Sequence, residues 1–241
     1  FNLQNLVRPN VQKLQPYSSA RDEYKASGTE MIFLDANENP YENGVNRYPD
    51  PQQRDLKSAL AKLKNVNQEQ ILLGNGSDEV LDLIFRAFCE PGVDNVITLP
   101  PTYGMYKVLA GINNVENREI LLTEEFQLNV KSVLKSVDEQ TKLLFICSPN
   151  NPTGNAFDAR AIKTILETSC TENHRSVIAA VDQIEALDHS FGAKWEGEMV
   201  TKFGDAAFFG LNISKILTSV FGGMAIYNDK NLDKKLKDFR K

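Results

Sequence analysis

Two kinds of apolar run alternate along the chain. Short β-rich runs occur at "QILLG" (70–74), "DNVITLP" (94–100), "REILL" (118–122), "TKLLFIC" (141–147), "SVIAAVD" (176–182), "DAAFFGL" (205–211) and "GGMAIY" (222–227). Between them, apolar positions recur at helical spacing over about 53–64, 77–89, 103–111, 129–137, 158–170 and 229–240. Strands that alternate with helices imply an α/β three-layer sandwich, a mostly parallel sheet covered on both faces. Residues 1–50, rich in Asn, Pro, Tyr and Asp, lack this periodicity and read as an N-terminal arm ahead of one large domain, 51–241.

Composition narrows the function classes without changing the fold. Of 241 residues, 41% are hydrophobic and 24% charged, and the net charge of −5 has its signs interspersed, so no nucleic-acid footprint is expected. The basic tail "KNLDKKLKDFRK" reads as a solvated amphipathic helix. No run approaches the roughly 20 apolar residues of a membrane span, and the N-terminus lacks a signal-peptide layout. The three cysteines, Cys89, Cys147 and Cys170, show no metal or redox spacing. A soluble protein of the cytoplasm is expected, with no metal.

Ligands of parallel α/β sheets sit beyond the C-terminal ends of the strands, so the residues that follow each strand carry the chemistry. After "QILLG" comes "NGSDE": Gly74 and Gly76 free the backbone, and Ser77, Asp78 and Glu79 open a helix whose amides can hold a phosphate. Plain helix capping explains the same residues. After "DNVITLP", Tyr103 and Tyr106 open the next helix and offer an aromatic face, or core. After "TKLLFIC", "SPNNPTGN" supplies Asn150 and Asn151. Asp182 closes an apolar strand, and Ser214 and Lys215 follow "DAAFFGL". A lysine in the apolar and small-residue stretch "FFGLNISKILTSVFGGM" demands a reason.

Pyridoxal 5′-phosphate uses all five features. Its phosphate takes backbone donors, its ring an aromatic face and its phenolic oxygen an amide. Its pyridine nitrogen pairs with an aspartate, and its aldehyde condenses with a lysine amine. An apolar setting and a cationic neighbour lower a lysine pKa from its usual value of about 10.4, which makes the amine reactive.

The stretches "LVRPNVQKLQPYSSARDEY", "FLDANENP", "NRYPDPQQ", "LGNGSDEVLDLIFRAFCEPGVDNV", "PTYGMYKV" and "CSPNNPTGN" resemble the histidinol-phosphate aminotransferases over residues 7–178. The resemblance implies the large domain of a fold type I pyridoxal-phosphate enzyme. It implies that Gly76, Ser77, Asp78 and Glu79 hold the phosphate through backbone amides. Tyr103 stacks on the ring, Asn151 contacts the phenolic oxygen, Asp182 the pyridine nitrogen, and Lys215 carries the cofactor with Ser214 beside it. Tyr48 reaches the partner subunit's cofactor in a homodimer, and Tyr17, Asn37 and Glu38 line the substrate site. The catalytic residues implied are Lys215, Asp182 and Tyr103, for transfer of an amino group between L-histidinol phosphate and a 2-oxo acid.

From about residue 185 the sequence instead looks like the aminotransferases of nucleotide-linked keto-sugars. Lys215 keeps its role in both. The tyrosine that histidinol-phosphate aminotransferases place shortly after the strand-end aspartate is absent from "DQIE", and Gly223 stands where they carry an arginine. Gly210 replaces a serine of the sugar enzymes, and Asp188 is a second candidate for the pyridine nitrogen. Both families continue into a small C-terminal domain that this chain lacks. Besides histidinol-phosphate and keto-sugar transamination, a domain of this fold without catalysis is a third reading.

Overall fold

The computed structural model describes residues 6–15, 17, 36–169, 178–182, 194–195, 198–199, 206–210 and 223–227. The element order is α1 (Pro9–Gln12), α2 (Arg54–Lys64), a 3-10 turn (Gln68–Gln70), β1 (Ile71–Gly74), α3 (Gly76–Phe88) and β2 (Asn95–Thr98). It continues with α4 (Met105–Ile112), β3 (Glu116–Glu119), α5 (Val130–Ser136), β4 (Thr141–Cys147) and α6 (Ala159–Ser169). Then come β5 (Ile178–Asp182), the short pair β6 (Lys194–Trp195) and β7 (Glu198–Met199), β8 (Ala206–Gly210) and β9 (Gly223–Tyr227).

Seven strands form one sheet in the order β1-β9-β8-β5-β4-β2-β3. β2, β3, β4, β5 and β8 run parallel, and β9 is antiparallel to both β1 and β8. β4 explains the layering. Leu143, Phe145 and Cys147 point into one core with α3 and α4, and Leu144 and Ile146 into a second with α5 and α6. This period-two split buries both faces, as a parallel sheet between helices requires. The three-layer α/β sandwich expected from the alternation is what the chain forms.

The elements differ from expectation at three places. The "REILL" strand lies two residues earlier, as the polar edge strand β3, because only β2 pairs with it. Its apolar residues Ile120 and Leu122 pack on the second core just beyond, held by bonds from their amides to Thr98 O and Pro100 O, both 2.9 Å. α4 begins at Met105, so Tyr103 lies in the loop ahead of the helix and does not open it. The hairpin β6–β7 had no counterpart in the pattern. The helix expected at 229–240 lies outside the described residues, as does Cys170.

Residues ahead of α1 belong to the core as well, at Leu6 and Val7. Leu6 and Val7 are buried against α3, and Arg8 holds them there. Its amide donates to Ala87 O (3.0 Å), its Nη1 to Arg86 O (3.0 Å) and its Nε to Glu90 Oε2 (3.2 Å).

At the N-terminal edge, a polar network locks β2, β3 and β4 in register. Buried Asn95 donates through Nδ2 to Asp138 Oδ1 (3.0 Å), and Thr141 Oγ1 lies 2.9 Å from Asn95 Oδ1. Arg118 Nη1 donates to Asp138 Oδ2 (2.5 Å) and to Ser136 O (3.1 Å). Partial burial pushes the Asp138 carboxyl up. The bonds from Asn95, Arg118 and Thr141, with the Arg118 charge, outweigh it and hold the pKa at about 2. A carboxyl depressed in the folded state stabilises the protein above its unfolded pKa, and that contribution disappears as pH falls from about 4 towards 2. We predict that Asp138→Asn lowers stability at pH 7 by on the order of 1 kcal/mol, in denaturant titration. The gap between variant and parent should narrow as pH falls from about 4 and close only below about pH 2.

Candidate active site

The parallel strands deliver their following loops to one edge of the sheet. β1 ends at Gly74, and Gly76, with φ +82°, turns the chain into α3. That backbone conformation suits glycine alone. The amides of Gly76, Ser77 and Asp78 lie in the first turn of a 13-residue helix, without intrahelical partners and at the positive end of its dipole. The two carboxylates of this turn are both engaged. Glu79 Oε2 accepts a short hydrogen bond from the amide of Asn75. Asp78 Oδ1 and Oδ2 lie 3.1 and 3.3 Å from the Tyr103 hydroxyl, which donates its single proton to one of them. The turn therefore offers amides to an anion while its acids are occupied.

Tyr103, partly buried, sits in the loop after β2 and meets the fully buried Tyr106 edge-on, ring centroids 5.6 Å apart at 84°. Tyr106 in turn stacks on Phe145 of β4 at 4.6 Å. Of the two tyrosines, Tyr106 is core and Tyr103 is at the edge.

The loop after β4 is fastened to the loop after β2 by Asn150, whose side chain is completely buried. Its Nδ2 donates to Pro101 O and lies near Thr153 Oγ1, both at 2.8 Å, and its Oδ1 accepts from Thr102 Oγ1 at 3.0 Å. Its backbone closes the turn, donating to Asn155 O (2.8 Å) and accepting from Gly154 N (2.7 Å). Asn151, next to this anchor, is only partly buried. No hydrogen bond engages its amide among the described residues. Of the two asparagines that follow β4, Asn150 spends its amide on the loops and Asn151 stands beside it at the edge. A buried amide must satisfy its bonds somewhere, and here the partners are two neighbouring loops.

β5 ends at Asp182, whose backbone is flanked by Cys147 of β4 and Phe208 of β8. Two residues further along β8, Gly210 pairs with Gly223 of β9, which pairs with Gly74 of β1. Three glycines thus stand side by side at the strand ends, next to the phosphate-type turn. Ser214, Lys215 and Asp188 lie outside the described residues.

The arm residues form a separate group. Asn37, Glu38 and Tyr48 line one open cavity of about 370 Å³, with no described residue from the strand-end loops. Glu38 organises it, accepting from the amide of Tyr48 (2.8 Å) and pairing with Arg47 Nη1 (3.0 Å). Tyr48 and Tyr17 are both well exposed. The structure gathers three of the four arm residues singled out in the sequence and does not bring them to Tyr103. Glu38 is spent on Arg47 and Tyr48 rather than left open, a role that only the folded arm reveals. Among the described residues no cluster could hold a metal ion. Cys89 and Cys147 are buried and in no disulfide among the described residues, and burial pushes the Cys89 thiol up, which makes it a poor nucleophile.

The family described as aminotransferase class I and II matches residues 29–184, well over half of the chain. The chain belongs to that family. Pyridoxal phosphate is its cofactor. The chain is 65% identical over 167 residues to a histidinol-phosphate aminotransferase of Christiangramia forsetii, covering 69% of this chain and 48% of that protein. A histidinol-phosphate aminotransferase of Bacteroides thetaiotaomicron is 59% identical over 164 residues, 68% of this chain and 47% of that one. The chain thus spans about half the length of these curated relatives. The crystal structure of the histidinol-phosphate aminotransferase from Clostridium acetobutylicum shares the fold, with a TM-score of 0.65 at 20% identity over 80% of this chain and 55% of that one. Tyrosine aminotransferase from Leishmania infantum does so at 0.64 and 19%, over 82% and 52%. The fold type I large domain expected from the sequence is therefore the fold found.

Two substitutions test the geometry of this edge. A Cβ on Gly74 would stand 2.8 Å from Val80 Cγ2 and 2.9 Å from Glu79 Oε2, so Gly74→Ala should displace the start of α3. Its expected cost is about 1–3 kcal/mol, read by denaturant unfolding. Asn150→Ala strands the polar groups of two loops and should cost about 2–3 kcal/mol by the same measurement.

Proposed function

We propose that this protein is a pyridoxal-phosphate-dependent aminotransferase that moves an amino group between L-histidinol phosphate and 2-oxoglutarate. One observation carries the reading: identity of 65% to a histidinol-phosphate aminotransferase across the part of the chain that builds the phosphate turn, the Tyr103 loop and the Asn151 loop. The described residues fit the cofactor, since the first-turn amides are open while the acids beside them are engaged, and Tyr103 offers a partly buried ring.

Bound pyridoxal phosphate supplies an electron sink for the pair left when the amine's Cα loses its proton. The chain's own groups do the rest. The amides of Gly76, Ser77, Asp78 and Glu79, with Ser214, hold the phosphate. Tyr103 covers the ring face, and the Asn151 amide donates to the phenolic oxygen. The Asp182 carboxylate keeps the pyridine nitrogen protonated, with Asp188 as the alternative partner. Lys215 would hold the cofactor through Nζ and would serve as the general base for the proton on the substrate Cα. Tyr17, Asn37 and Glu38 line the substrate site. Tyr48 completes the site of a second subunit, a reading that suits its place in a cavity whose described lining comes from the arm alone. The working unit is then a homodimer, and buried free thiols favour the cytoplasm. Residues 1–50 act as the arm and 51–241 as the cofactor domain.

Addition of pyridoxal phosphate should give the absorbance band of lysine-bound cofactor, and Lys215→Ala should abolish it. No band in the intact protein overturns the reading. A coupled assay that offers histidinol phosphate against a nucleotide-linked keto-sugar fixes the substrate. Turnover of the sugar alone would transfer the assignment to the sugar enzymes, and bound cofactor without turnover would mark a domain that has lost catalysis.

A further inference from the structure

Asp78 is the one acid of the phosphate turn whose carboxylate reaches another strand-end loop. Both of its oxygens lie within hydrogen-bond distance of the Tyr103 hydroxyl, at 3.1 and 3.3 Å, and the single phenolic proton serves one of them. The same ring leans edge-on against Tyr106, which is fully buried and stacked on Phe145 of the central strand β4. Tyr103 is thereby gripped at two points, its hydroxyl by the first turn of α3 and its ring by the core. Two χ angles position an aromatic ring, and two such contacts leave neither free.

We propose that Asp78 is a positioning residue that acts through Tyr103: its carboxylate ties the plane of the stacking ring to the turn that receives the cofactor phosphate, so ring and phosphate sites move as one piece. This rests on the cofactor reading given above. A carboxylate in the first turn would otherwise repel a phosphate held by the neighbouring amides. The bond from Tyr103 gives that negative charge a donor of its own.

The test compares pyridoxal phosphate with pyridoxal, which has the ring but no phosphate, in binding titrations of the full chain. The variants are Tyr103→Phe, Asp78→Ala, Asp78→Asn and the Asp78→Ala/Tyr103→Phe pair. Each of Tyr103→Phe and Asp78→Ala should weaken both ligands by about tenfold, and the double variant should be no weaker than either single one. Asp78→Asn keeps an accepting oxygen and should recover most of the loss. Single effects that multiply to about a hundredfold in the double variant would overturn the proposal. So would an Asp78→Ala variant that loses pyridoxal phosphate alone, because the residue would then act on the phosphate, or one that binds it more tightly. A parent protein that binds neither ligand fails the cofactor reading and this proposal together, an outcome distinct from a binding parent with an additive cycle. Thermal unfolding of each ligand-free variant identifies loss of fold. If Asp78→Ala does not fold, Asp78→Ser, which removes the carboxylate, takes its place in the same cycle, with the same expected and overturning results.

Discussion

A parallel strand can follow its neighbour only after the chain has crossed back over a face of the sheet. β2 to β5 and β8 all obey that constraint, and much of this molecule follows from it. The crossovers place α3 and α4 on one face and α5 and α6 on the other, so from Leu143 to Cys147 β4 is apolar at every position, not at alternate ones. The crossovers also give every parallel strand the same direction. Loops that leave the strands therefore gather at one edge, and the amide-rich start of α3 arrives there with its dipole pointing outward.

The two edges of the sheet use polar side chains for different ends. At the N-terminal edge, Asn95, Thr141, Asp138 and Arg118 consume one another's hydrogen-bonding capacity and leave a closed network. At the C-terminal edge the closure is partial. Asn150 is fully committed to two loops, and Asp78 and Glu79 to Tyr103 and the Asn75 amide. Among the described residues, the first-turn amides of α3 and the amide of Asn151 take no hydrogen-bond partner, and both are groups a phosphorylated aromatic ligand would need. Rigid support beneath a few unspent donors is how a binding site is kept in register before its ligand arrives.

Most of the fold was legible because burial on both faces leaves a strong trace. Continuous apolar runs such as "TKLLFIC" and the amphipathic repeat of "DEVLDLIFRAF" admit few readings. β3 was displaced by two residues since an edge strand carries polar residues, and its apolar tail packs after the pairing ends. Of the site, the turn around Gly76 and the tyrosine of "PTYG" could be read from residue type and position. The division of labour between Asn150 and Asn151 could not, because adjacent identical residues differ only in what surrounds them. Glu38 is a similar case, since its partners Arg47 and Tyr48 lie along a loop without periodicity.

The sequence by itself determined the alternation of strands and helices, the three-layer class and the types of residue at each strand end. These depend on local periodicity and on glycine, proline and asparagine chemistry, which act within a few neighbouring residues. Only the tertiary structure decided that β9 runs against its neighbours, that three glycines align at the ligand edge, and that Asp78 answers to Tyr103 rather than to solvent. Each of those facts joins residues far apart in the chain. Their proximity is set by how the sheet is ordered, which no local pattern encodes.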